Sequence, residues 1–292
     1  TAVNVAQPGD VVLVSPGTYS GGISIAKAIT LASEYFTTGD PNKVNTTTLS
    51  GGSPIVDITN AGAGAKVIGF TFTGGIKGFV ANAENTEIID SRFINVGSDA
   101  ISWETVGGAV RRNYVQNAGD DCFDLDGPHN GVIEENTCIT PGDDGLETRL
   151  YNYTGAMQDI TISKNFIDGA GEDAIQLIDY DQASNYTYHI ERNILVNSAD
   201  VGIGIMDTGE TIEDYRGAII PEKVTVFNNT LVNNNYGITG GGNLVAVNNI
   251  VSNNTTMCMK NVAGNSMINY NLFWGNGTDY TNSNVDLPTT LF

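Results

Sequence analysis

Carboxylate side chains recur in this sequence at a fixed place within a repeated segment. The tripeptides at 119–121 (Gly-Asp-Asp), 142–144 (Gly-Asp-Asp) and 171–173 (Gly-Glu-Asp) each lie six residues after an Asn and just before a short apolar strand. Carboxyl groups that lie close together can share a proton, hold a hard cation such as Ca²⁺, or cleave a glycosidic bond as acid and base. The repeat therefore predicts acidic chemistry on one face of the molecule.

The same repeat predicts the fold. Equivalent Asn residues follow one another at intervals of 20 to 36 residues, and the segments between them are β-rich and lack the spacing of an amphipathic helix. These features are typical of an all-β, right-handed, single-stranded parallel β-helix, a β-solenoid whose coils build continuous sheets. We predict roughly nine or ten coils, with the Asn side chains stacked from coil to coil. Residues 1–292 would form a single β-helix domain, as a whole protein or as a fragment of a larger secreted one.

The strand after each acidic turn predicts an outward-facing acidic strip. Because side chains alternate along a strand, Phe123 and Leu125 and their equivalents face the core, and the residues between them face outward. Carboxylates on neighbouring coils would lie about 5 Å apart, so the strip repels itself unless a proton, a cation or its one basic residue, Arg149, neutralises it. As an alternative role, the turn Asp side chains cap backbone N–H groups. The turn column and the two outward columns are, in coil order, Asp99, Asp121, Asp144, Asp173, Asp200; Ser102, Asp124, Glu147, Gln176, Gly204; and Glu104, Asp126, Arg149, Ile178, Met206.

The charge balance limits the partners. A net charge of −20 and a pI near 4.1 oppose binding to nucleic acid, because phosphate backbones are bound through Lys and Arg. No apolar run approaches the roughly 20 residues that a membrane span requires, and several Asn-x-Ser/Thr sequons fit an exported protein. We expect a secreted or cell-surface protein that binds a polysaccharide or oligosaccharide. An acidic polysaccharide would require a bridging cation such as Ca²⁺.

Three extra segments follow the acidic strand in consecutive coils, at 150–158, 179–188 and 207–222. Because they leave from the same corner, we predict loops that stand side by side along the acidic strip. Their tyrosines, among them Tyr186 and Tyr188, suit the apolar faces of sugar rings, and packing on one another is the alternative. The substrate-binding residues predicted for this groove are Asp124, Asp126, Tyr153, Gln176, Asp179, Tyr180 and Asp207.

Cysteine and histidine give weaker signals. Cys122, Cys138 and Cys258 make no disulfide framework, and one of them must stay unpaired within the chain. His129 lies in a Gly-Pro-His-Asn turn and is predicted to be a polar surface residue. His189 lies in a strand, where we expect a structural role.

Some of these residues resemble the site of polygalacturonases, a family of right-handed β-helix enzymes. Asp99 with the 120–121 pair, and a second cysteine sixteen residues beyond Cys122, are similar in spacing to that family's three aspartates and cysteine pair. The resemblance implies hydrolysis of a polysaccharide. The chain departs from the family at 142–145, where Gly-Asp-Asp-Gly stands for Gly-His-Gly, and at Gln176, which has no basic neighbour for a uronate.

A second resemblance is to Ca²⁺-dependent alginate and dermatan lyases. The segment 144–149, Asp-Gly-Leu-Glu-Thr-Arg, is similar to their Asn-Gly-x-Glu-x-x-Arg strand, which places Glu147 at the position of a metal ligand. Arg149 comes one residue early, and no Lys takes the position of the catalytic base. The resemblance implies β-elimination assisted by Ca²⁺.

We therefore expect a polysaccharide-degrading enzyme, with a Ca²⁺-assisted lyase slightly favoured because the carboxylates are so crowded. Arg149 would be the base or a substrate clamp. Two alternatives stay open: a glycoside hydrolase that uses paired Asp and Glu residues, and a non-catalytic module that binds glycan or Ca²⁺. The predicted catalytic residues are Arg149, Asp144, Asp121 and Glu147, and the predicted metal ligands are Asp121, Asp144, Glu147 and Asp173.

Overall fold

A computed structural model gives the arrangement of residues 2–127, 129–150, 153–179, 183–205 and 220–292; the side chains of Leu150 and Asp179 lie outside this description. Three parallel sheets of eleven strands each run through these residues, and successive strands go to the three sheets in turn. Each strand pairs in parallel with the strand three places later, as Leu146 does with Ile175. The chain is therefore the right-handed parallel β-helix that the repeat predicts.

The strands of each sheet follow one another along the helix axis. The first sheet contains Val11–Val14 (β1), Thr30–Ser33 (β4), Lys66–Ile68 (β7), Glu87–Ile89 (β10), Ala109–Arg111 (β13), Val132–Glu134 (β16), Gln158–Ser163 (β19), Tyr186–Glu191 (β22), Lys223–Phe227 (β25), Leu244–Val247 (β28) and Met267–Asn269 (β31). The second sheet contains Gly17–Ser20 (β2), Thr47–Ser50 (β5), Thr71–Thr73 (β8), Arg92–Ile94 (β11), Tyr114–Gln116 (β14), Thr137–Ile139 (β17), Phe166–Asp168 (β20), Ile194–Val196 (β23), Thr230–Val232 (β26), Ile250–Ser252 (β29) and Leu272–Trp274 (β32). The third sheet contains Ile23–Ile25 (β3), Val56–Ile58 (β6), Phe79–Ala81 (β9), Ile101–Trp103 (β12), Phe123–Asp126 (β15), Leu146–Leu150 (β18), Ile175–Asp179 (β21), Val201–Ile205 (β24), Tyr236–Thr239 (β27), Met257–Lys260 (β30) and Tyr280–Thr281 (β33).

Helical structure is confined to short segments in the described ranges. Helix α1 spans Ala2–Val5, and α2 (Tyr35–Thr38) and α3 (Asn42–Thr46) lie between β4 and β5. No helix in the described part of the chain is long and apolar enough to cross a membrane. Each coil adds one strand to each sheet, so eleven strands per sheet mean about eleven coils, more than the nine or ten expected. The prediction undercounts the first coils, up to β9, because they contain neither the repeated Asn nor the acidic turn by which the later coils are recognised.

Alternate strand positions fill the interior, as the sequence pattern predicts. Stacked side chains on neighbouring coils make continuous contact, and the rings of Phe72 and Phe93 lie parallel with centroids 4.3 Å apart. The residues predicted to point inward on the third sheet are all buried: Phe123, Leu125, Leu146, Thr148, Ile175, Leu177, Ile203 and Ile205.

A ladder of buried Asn residues joins the coils at the corner between the first and second sheets. From the second member on, each side-chain oxygen accepts the backbone N–H of the ladder residue one coil earlier, at 2.9–3.0 Å. The oxygen of the first member, Asn113, accepts the N–H of Ser91 at 3.1 Å. The residue before each ladder Asn has a left-handed φ, such as 53° at Arg112, which turns the chain from one sheet into the next. The predicted stack is confirmed, and its members are Asn113, Asn136, Asn165, Asn193, Asn229, Asn249 and Asn271.

A disulfide joins Cys122 to Cys138 inside the core, with Cα atoms 6.1 Å apart. Cys122 directly follows the acidic turn at 119–121, and Cys138 lies on β17 of the second sheet. The bond therefore fixes that turn against the body of the β-helix. The third cysteine, Cys258, is a buried free thiol.

Replacing Asn165 by Ala should destabilise the fold by roughly 2–4 kcal/mol, because it leaves the buried N–H of Asn136 and the carbonyl of Ile133 without partners. The midpoint of urea unfolding should fall accordingly. Asn60→Ala, at an exposed turn position, is the control and should change the midpoint little. A midpoint for Asn165→Ala equal to that of the wild type would contradict the structural role of the ladder.

Candidate active site

The outer face of the third sheet carries a groove of about 340 Å³. Its strand register places Asp124 opposite Glu147 and Asp126 opposite Arg149, as the alternation predicts. A larger cavity of about 530 Å³ lies at the first coil, but its walls are mainly apolar. The residues that line the charged groove, called here the acidic groove, are Lys77, Ser98, Asp99, Asp120, Asp121, Asp124, Asp126, Asp143, Glu147 and Arg149.

Three turn aspartates form a second buried ladder, the Asp ladder, beneath this groove. The Oδ1 atom of Asp121 accepts the N–H of Asp144 at 2.8 Å, and the Oδ1 atom of Asp144 accepts the N–H of Asp173 at 2.7 Å. Asp173 in turn accepts the N–H of Val201 at 2.8 Å. The capping role considered as an alternative is therefore present in all three residues. One oxygen of each carboxyl group makes this bond, which leaves the other for further partners.

The turn column differs from the prediction at its last member. Val201 rather than Asp200 stacks on Asp173, because the register pairs Ile175 with Ile203. Asp200 lies one place earlier, where its N–H donates to the carbonyl of Glu172 at 3.0 Å. The earlier turns contain a Gly that marks the position, and the turn before Asp200 lacks it.

Lys77 is a basic residue of the groove that the sequence prediction missed. Phe79 pairs with Ile101 on the next coil. Lys77 and Asp99 each lie two residues before these paired residues, so Lys77 occupies the turn column one coil before Asp99. Its ammonium lies 2.6 Å from Oδ2 of Asp99 and 3.6 Å from Oδ2 of Asp124. Extending the column by one coil toward the N-terminus would have found it.

Arg149 is the second cation of the groove. Its Nη2 atom lies 2.7 Å from Oε1 of Glu147, and its Nε atom lies 3.9 Å from Oδ1 of Asp126. The lining residues include seven carboxyl groups and two cations. The basic side chains therefore cannot neutralise the groove, and protons or a further cation must do so.

Burial decides the protonation of the Asp ladder. Burial, reinforced by the charge of Glu147, raises the pKa of Asp121 to about 10. Burial together with the charges of Asp173 and Asp121 raises the pKa of Asp144 well above its usual range. Without a cation, Asp121 thus carries a proton at neutral pH, and the pKa of Asp144 is shifted in the same direction.

At the opposite end of the groove, two neighbouring carboxyl groups differ in protonation. Burial opposes the ionisation of Asp99, but hydrogen bonds and charge from Lys77 and a hydrogen bond from Ser102 outweigh it and hold the pKa of Asp99 below its ordinary value. Burial and the charge of Asp126 raise the pKa of Asp124 to about 7. Asp99 is therefore ionised while its neighbour Asp124 is half protonated near neutral pH.

Carboxyl oxygens in the groove and in the Asp ladder lie close enough to share a cation. One oxygen each from Asp121, Asp144 and Glu147 lie within 4.8 Å of one another, and the same holds for Asp124, Asp126 and Glu147. Such oxygens are the ligands that Ca²⁺ prefers. Three of the four residues predicted to bind metal thus come together, whereas Asp173, the fourth, belongs to the Asp ladder but not to either group.

The predicted loop tyrosines are placed differently. The ring of Tyr153 packs edge-on against Tyr186 with centroids 5.4 Å apart, and its hydroxyl accepts a hydrogen bond from Gln158 at 3.1 Å. Tyr186 and Tyr188 are buried on β22 rather than exposed on a loop, and their ring centroids lie 6.3 Å apart, so the alternative prediction that the tyrosines pack on one another is confirmed for these residues. The reason for this burial is that β19 and β22 each extend to six residues, so that the last residues of two segments predicted as loops belong to core strands.

The remaining predicted substrate-binding residues fall into two groups. Gln176 faces outward next to Glu147, as predicted, but its side chain is fully buried, and so is that of Ile178. Tyr180, Asp207 and the side chain of Asp179 lie outside the described residues.

Neither histidine lines the acidic groove. His129 is 1% exposed, so its prediction as a surface residue is wrong. Its ring turns inward and packs edge-on against Trp103 at 5.3 Å, and burial lowers its pKa to about 3. His189 lies on β22, as predicted, with Nδ1 3.0 Å from the hydroxyl oxygen of Thr225.

The comparisons with known proteins agree with this architecture. The sequence matches the family described as "Right handed beta helix region" over residues 55–256. No curated protein matches the chain.

Several solved structures share the fold. A PL6 family polysaccharide lyase from Pseudopedobacter saltans is 15% identical with a TM-score of 0.71, and the alignment covers 96% of this chain and 75% of the lyase. A GH87 α-1,3-glucanase catalytic unit from Streptomyces thermodiastaticus is 13% identical with a TM-score of 0.61, and the alignment covers 100% of this chain and 66% of the glucanase unit. The A-module of a mannuronan C-5 epimerase from Azotobacter vinelandii is 11% identical with a TM-score of 0.55, and the alignment covers 97% of this chain and 90% of the module. At these identities the likeness establishes the fold alone.

Stability should fall as pH rises when divalent cations are removed. Asp121 has a pKa of about 10 in the folded protein against an ordinary value of 3.8, so unfolding releases a proton throughout that interval. The stability that this proton contributes is complete below about pH 4 and is lost as pH rises toward 10. The melting temperature in EDTA should therefore decrease from about pH 5 to about pH 8.

Asp144→Asn is the informative variant, because Asn keeps the oxygen that accepts the N–H of Asp173 and removes the acid. We expect it to fold and to show a smaller decrease in melting temperature over the same pH interval. Glu84→Gln, at an exposed position, should behave as the wild type. A wild-type melting temperature that is constant or rises with pH would contradict the protonation described for the Asp ladder.

Proposed function

We propose that this chain, which belongs to the right-handed beta helix family, degrades a polysaccharide bound along the acidic groove, and that a divalent cation assists the reaction. The observation that carries the proposal is the group formed by Asp121, Asp144 and Glu147, whose oxygens lie within 4.8 Å of one another on rigid neighbouring coils. Protons or a cation must neutralise this group. A solenoid needs no such group for its stability, since Asn makes the same contact between coils.

A calcium-assisted polysaccharide lyase is the activity that this site supports best. Asp121, Asp144 and Glu147 would hold Ca²⁺, which would supply the positive charge that a uronate carboxylate requires. In β-elimination a base removes the proton at C5, its electron pair forms the C4–C5 double bond, and the C4–O bond to the leaving sugar breaks. Arg149, which contacts Glu147 and Asp126, would bind the uronate or, in its deprotonated form, take the C5 proton.

A glycoside hydrolase is the second candidate, and the unequal pair at the other end of the groove favours it. Asp124, with a pKa of about 7, would be the acid that protonates the leaving oxygen. Asp99, whose pKa is held low, would be the base that activates water. Pairs of carboxyl groups whose environments separate their pKa values are how glycosidases assign these roles.

Two further observations support a glycan partner outside the cell. The three structural neighbours are a polysaccharide lyase, a glucanase and a mannuronan epimerase. The disulfide between Cys122 and Cys138 fits an oxidising compartment, as secreted proteins meet. We therefore propose a secreted or cell-surface location.

Digestion of a panel of uronate and neutral polysaccharides, with Ca²⁺ or with EDTA, tests the proposal. A lyase should release products that absorb near 235 nm, and EDTA should abolish the absorbance. New reducing ends without that absorbance would replace the lyase by the hydrolase. If no polysaccharide of the panel gives absorbance near 235 nm or new reducing ends, the proposal of a degrading enzyme is wrong, and a module that only binds glycan or Ca²⁺ is favoured.

Arg149→Lys separates the two activities further. In the lyase it should lower kcat by roughly 100-fold or more, because an ammonium cannot reproduce the planar guanidinium beside Glu147. Hydrolysis carried by Asp99 and Asp124 should change much less. Glu84→Gln, at an exposed carboxyl that does not line the groove, is the control and should keep wild-type rates. Wild-type lyase activity in Arg149→Lys would remove Arg149 from the mechanism.

A further inference from the structure

A cavity of about 230 Å³ lies at the corner between the first and second sheets, away from the acidic groove on the third. Asp90, where the chain passes from β10 to β11, lines it on one side, and Tyr35 of α2 and Val44 of α3 line it on the other. A second cavity of about 310 Å³ adjoins it and shares Tyr35, Asp90 and Arg112. Together the two cavities, called here the corner pocket, reach the range of roughly 300–1,000 Å³ that small-molecule sites occupy.

The segment that contains α2 and α3 packs tightly against the coils. The hydroxyl of Thr71 on β8 donates to the carbonyl of Val44 at 2.9 Å. The ring of Tyr35 lies so close to Gly69 that a Cβ atom at Gly69 would come within 2.9 Å of Cδ1 of Tyr35. The outer wall of the corner pocket is therefore fixed by contacts on two neighbouring coils.

The corner pocket has a net positive charge in a strongly acidic protein. The charged residues that line it are Arg92, Arg112 and Asp90, whereas the whole chain has a net charge of −20. Nε and Nη2 of Arg112 donate to the two carboxylate oxygens of Asp90 at 2.7 and 3.0 Å, so these two residues neutralise each other. Arg92 makes no ion pair with the described residues. Its charge is therefore available to an anion.

Uncharged neighbours hold the guanidinium of Arg92. Its Cζ atom lies 5.4 Å from the centroid of the Tyr114 ring, and its Nη1 atom donates to Oδ1 of Asn45. Contact with an aromatic ring and one hydrogen bond orient the guanidinium without neutralising it. Nε and Nη2 donate to no acceptor among the described residues. Arg112 binds Asp90 through the same two nitrogens, a fork that a carboxylate accepts with both oxygens.

The rest of the lining suits a ring with an apolar face. Tyr35, Pro41, Ile68 and Tyr114 contribute aromatic and aliphatic surface to the two cavities. Aromatic side chains offer large apolar surface and, in Tyr, a hydroxyl that can hydrogen-bond. A sugar ring needs both kinds of contact, and an inorganic anion would use only the guanidinium. A carboxylate attached to a sugar ring matches the whole lining.

We infer that the corner pocket binds a uronate residue of an acidic polysaccharide, with the sugar carboxylate on Arg92 and the ring against the aromatic and aliphatic wall. The identity of the ligand as a polysaccharide rests on the proposed function. The corner pocket deepens that proposal, because it retains an acidic polymer on a protein whose acidic groove repels the polymer until a cation binds. The substrate class is then a uronate polymer rather than a neutral one.

Calorimetric titration in EDTA at low salt isolates the corner pocket, because the acidic groove repels uronate when no cation bridges them. The probes are tetragalacturonate, tetramannuronate and tetraguluronate, beside cellotetraose and inorganic phosphate. At least one uronate should bind the wild type, and Arg92→Gln should bind it at least roughly tenfold more weakly. Arg92→Lys, which keeps the charge and loses the fork, should also bind it more weakly than the wild type. Cellotetraose and phosphate should bind the wild type more weakly than that uronate.

Arg192→Gln is the matched control. Arg192 is an exposed residue that lies 3.7 Å from a carboxylate oxygen of Glu191 and does not line the corner pocket. It removes the same charge as Arg92→Gln, so it separates a specific contact from the change in net charge. It should keep wild-type affinity for uronate, and both Gln variants should melt near the wild-type temperature, because neither side chain is buried.

Equal uronate affinity in the wild type and Arg92→Gln, or no uronate binding in EDTA, would overturn the corner pocket. Phosphate binding as tight as that of the uronates would overturn its assignment to a sugar. Degradation of a uronate polymer by a protein that gives either of the first two results would keep the proposed function. Uronate binding that depends on Arg92, in a protein without activity on the polysaccharide panel, would refute the proposed function and keep the corner pocket.

Discussion

The contact on which this structure depends is the hydrogen bond from a backbone N–H of one coil to a buried side-chain oxygen of its neighbour. The Asn ladder makes this bond at the corner between the first and second sheets, and the Asp ladder makes it at the turn before the third sheet. Together with the backbone pairing of three parallel sheets, these bonds hold the coils at a strand spacing of about 4.8 Å. Side chains of equivalent position are therefore stacked whatever their charge, and the scaffold can hold carboxyl groups closer than they would settle in solution.

The presence of Asp rather than Asn in one of these ladders indicates a function beyond stability. Asn makes the contact between coils without charge, as the seven members of the Asn ladder do among the described residues. At the acidic turn Asp121, Asp144 and Asp173 make the same contact at the cost of burying an acid, and Glu147 adds a fourth carboxyl beside them. Structural need alone does not explain an acid where an amide would serve, so binding of a cation or proton transfer is the better account.

Much of the site follows from sequence because a strand alternates with a period of two and a β-helix repeats its register. That regularity predicts that Asp124 lies beside Glu147, and the strand pairing confirms it. The errors arise where the period changes. Val201 takes the place given to Asp200 because no Gly marks that turn, and Lys77 precedes the first recognisable acidic repeat. Burial of outward-facing residues such as Gln176 depends on contacts between distant segments, which a local pattern does not contain.

The most direct test of the central claim is calorimetric titration of Ca²⁺ into the wild type, Glu147→Gln and Glu84→Gln at neutral pH. If the crowded carboxyl groups form a cation site, the wild type and Glu84→Gln should bind Ca²⁺ with the same affinity, and Glu147→Gln should bind it at least roughly tenfold more weakly. Absence of binding in the wild type, or equal affinity in all three proteins, would show that the carboxyl groups are neutralised by protons alone and would contradict this account.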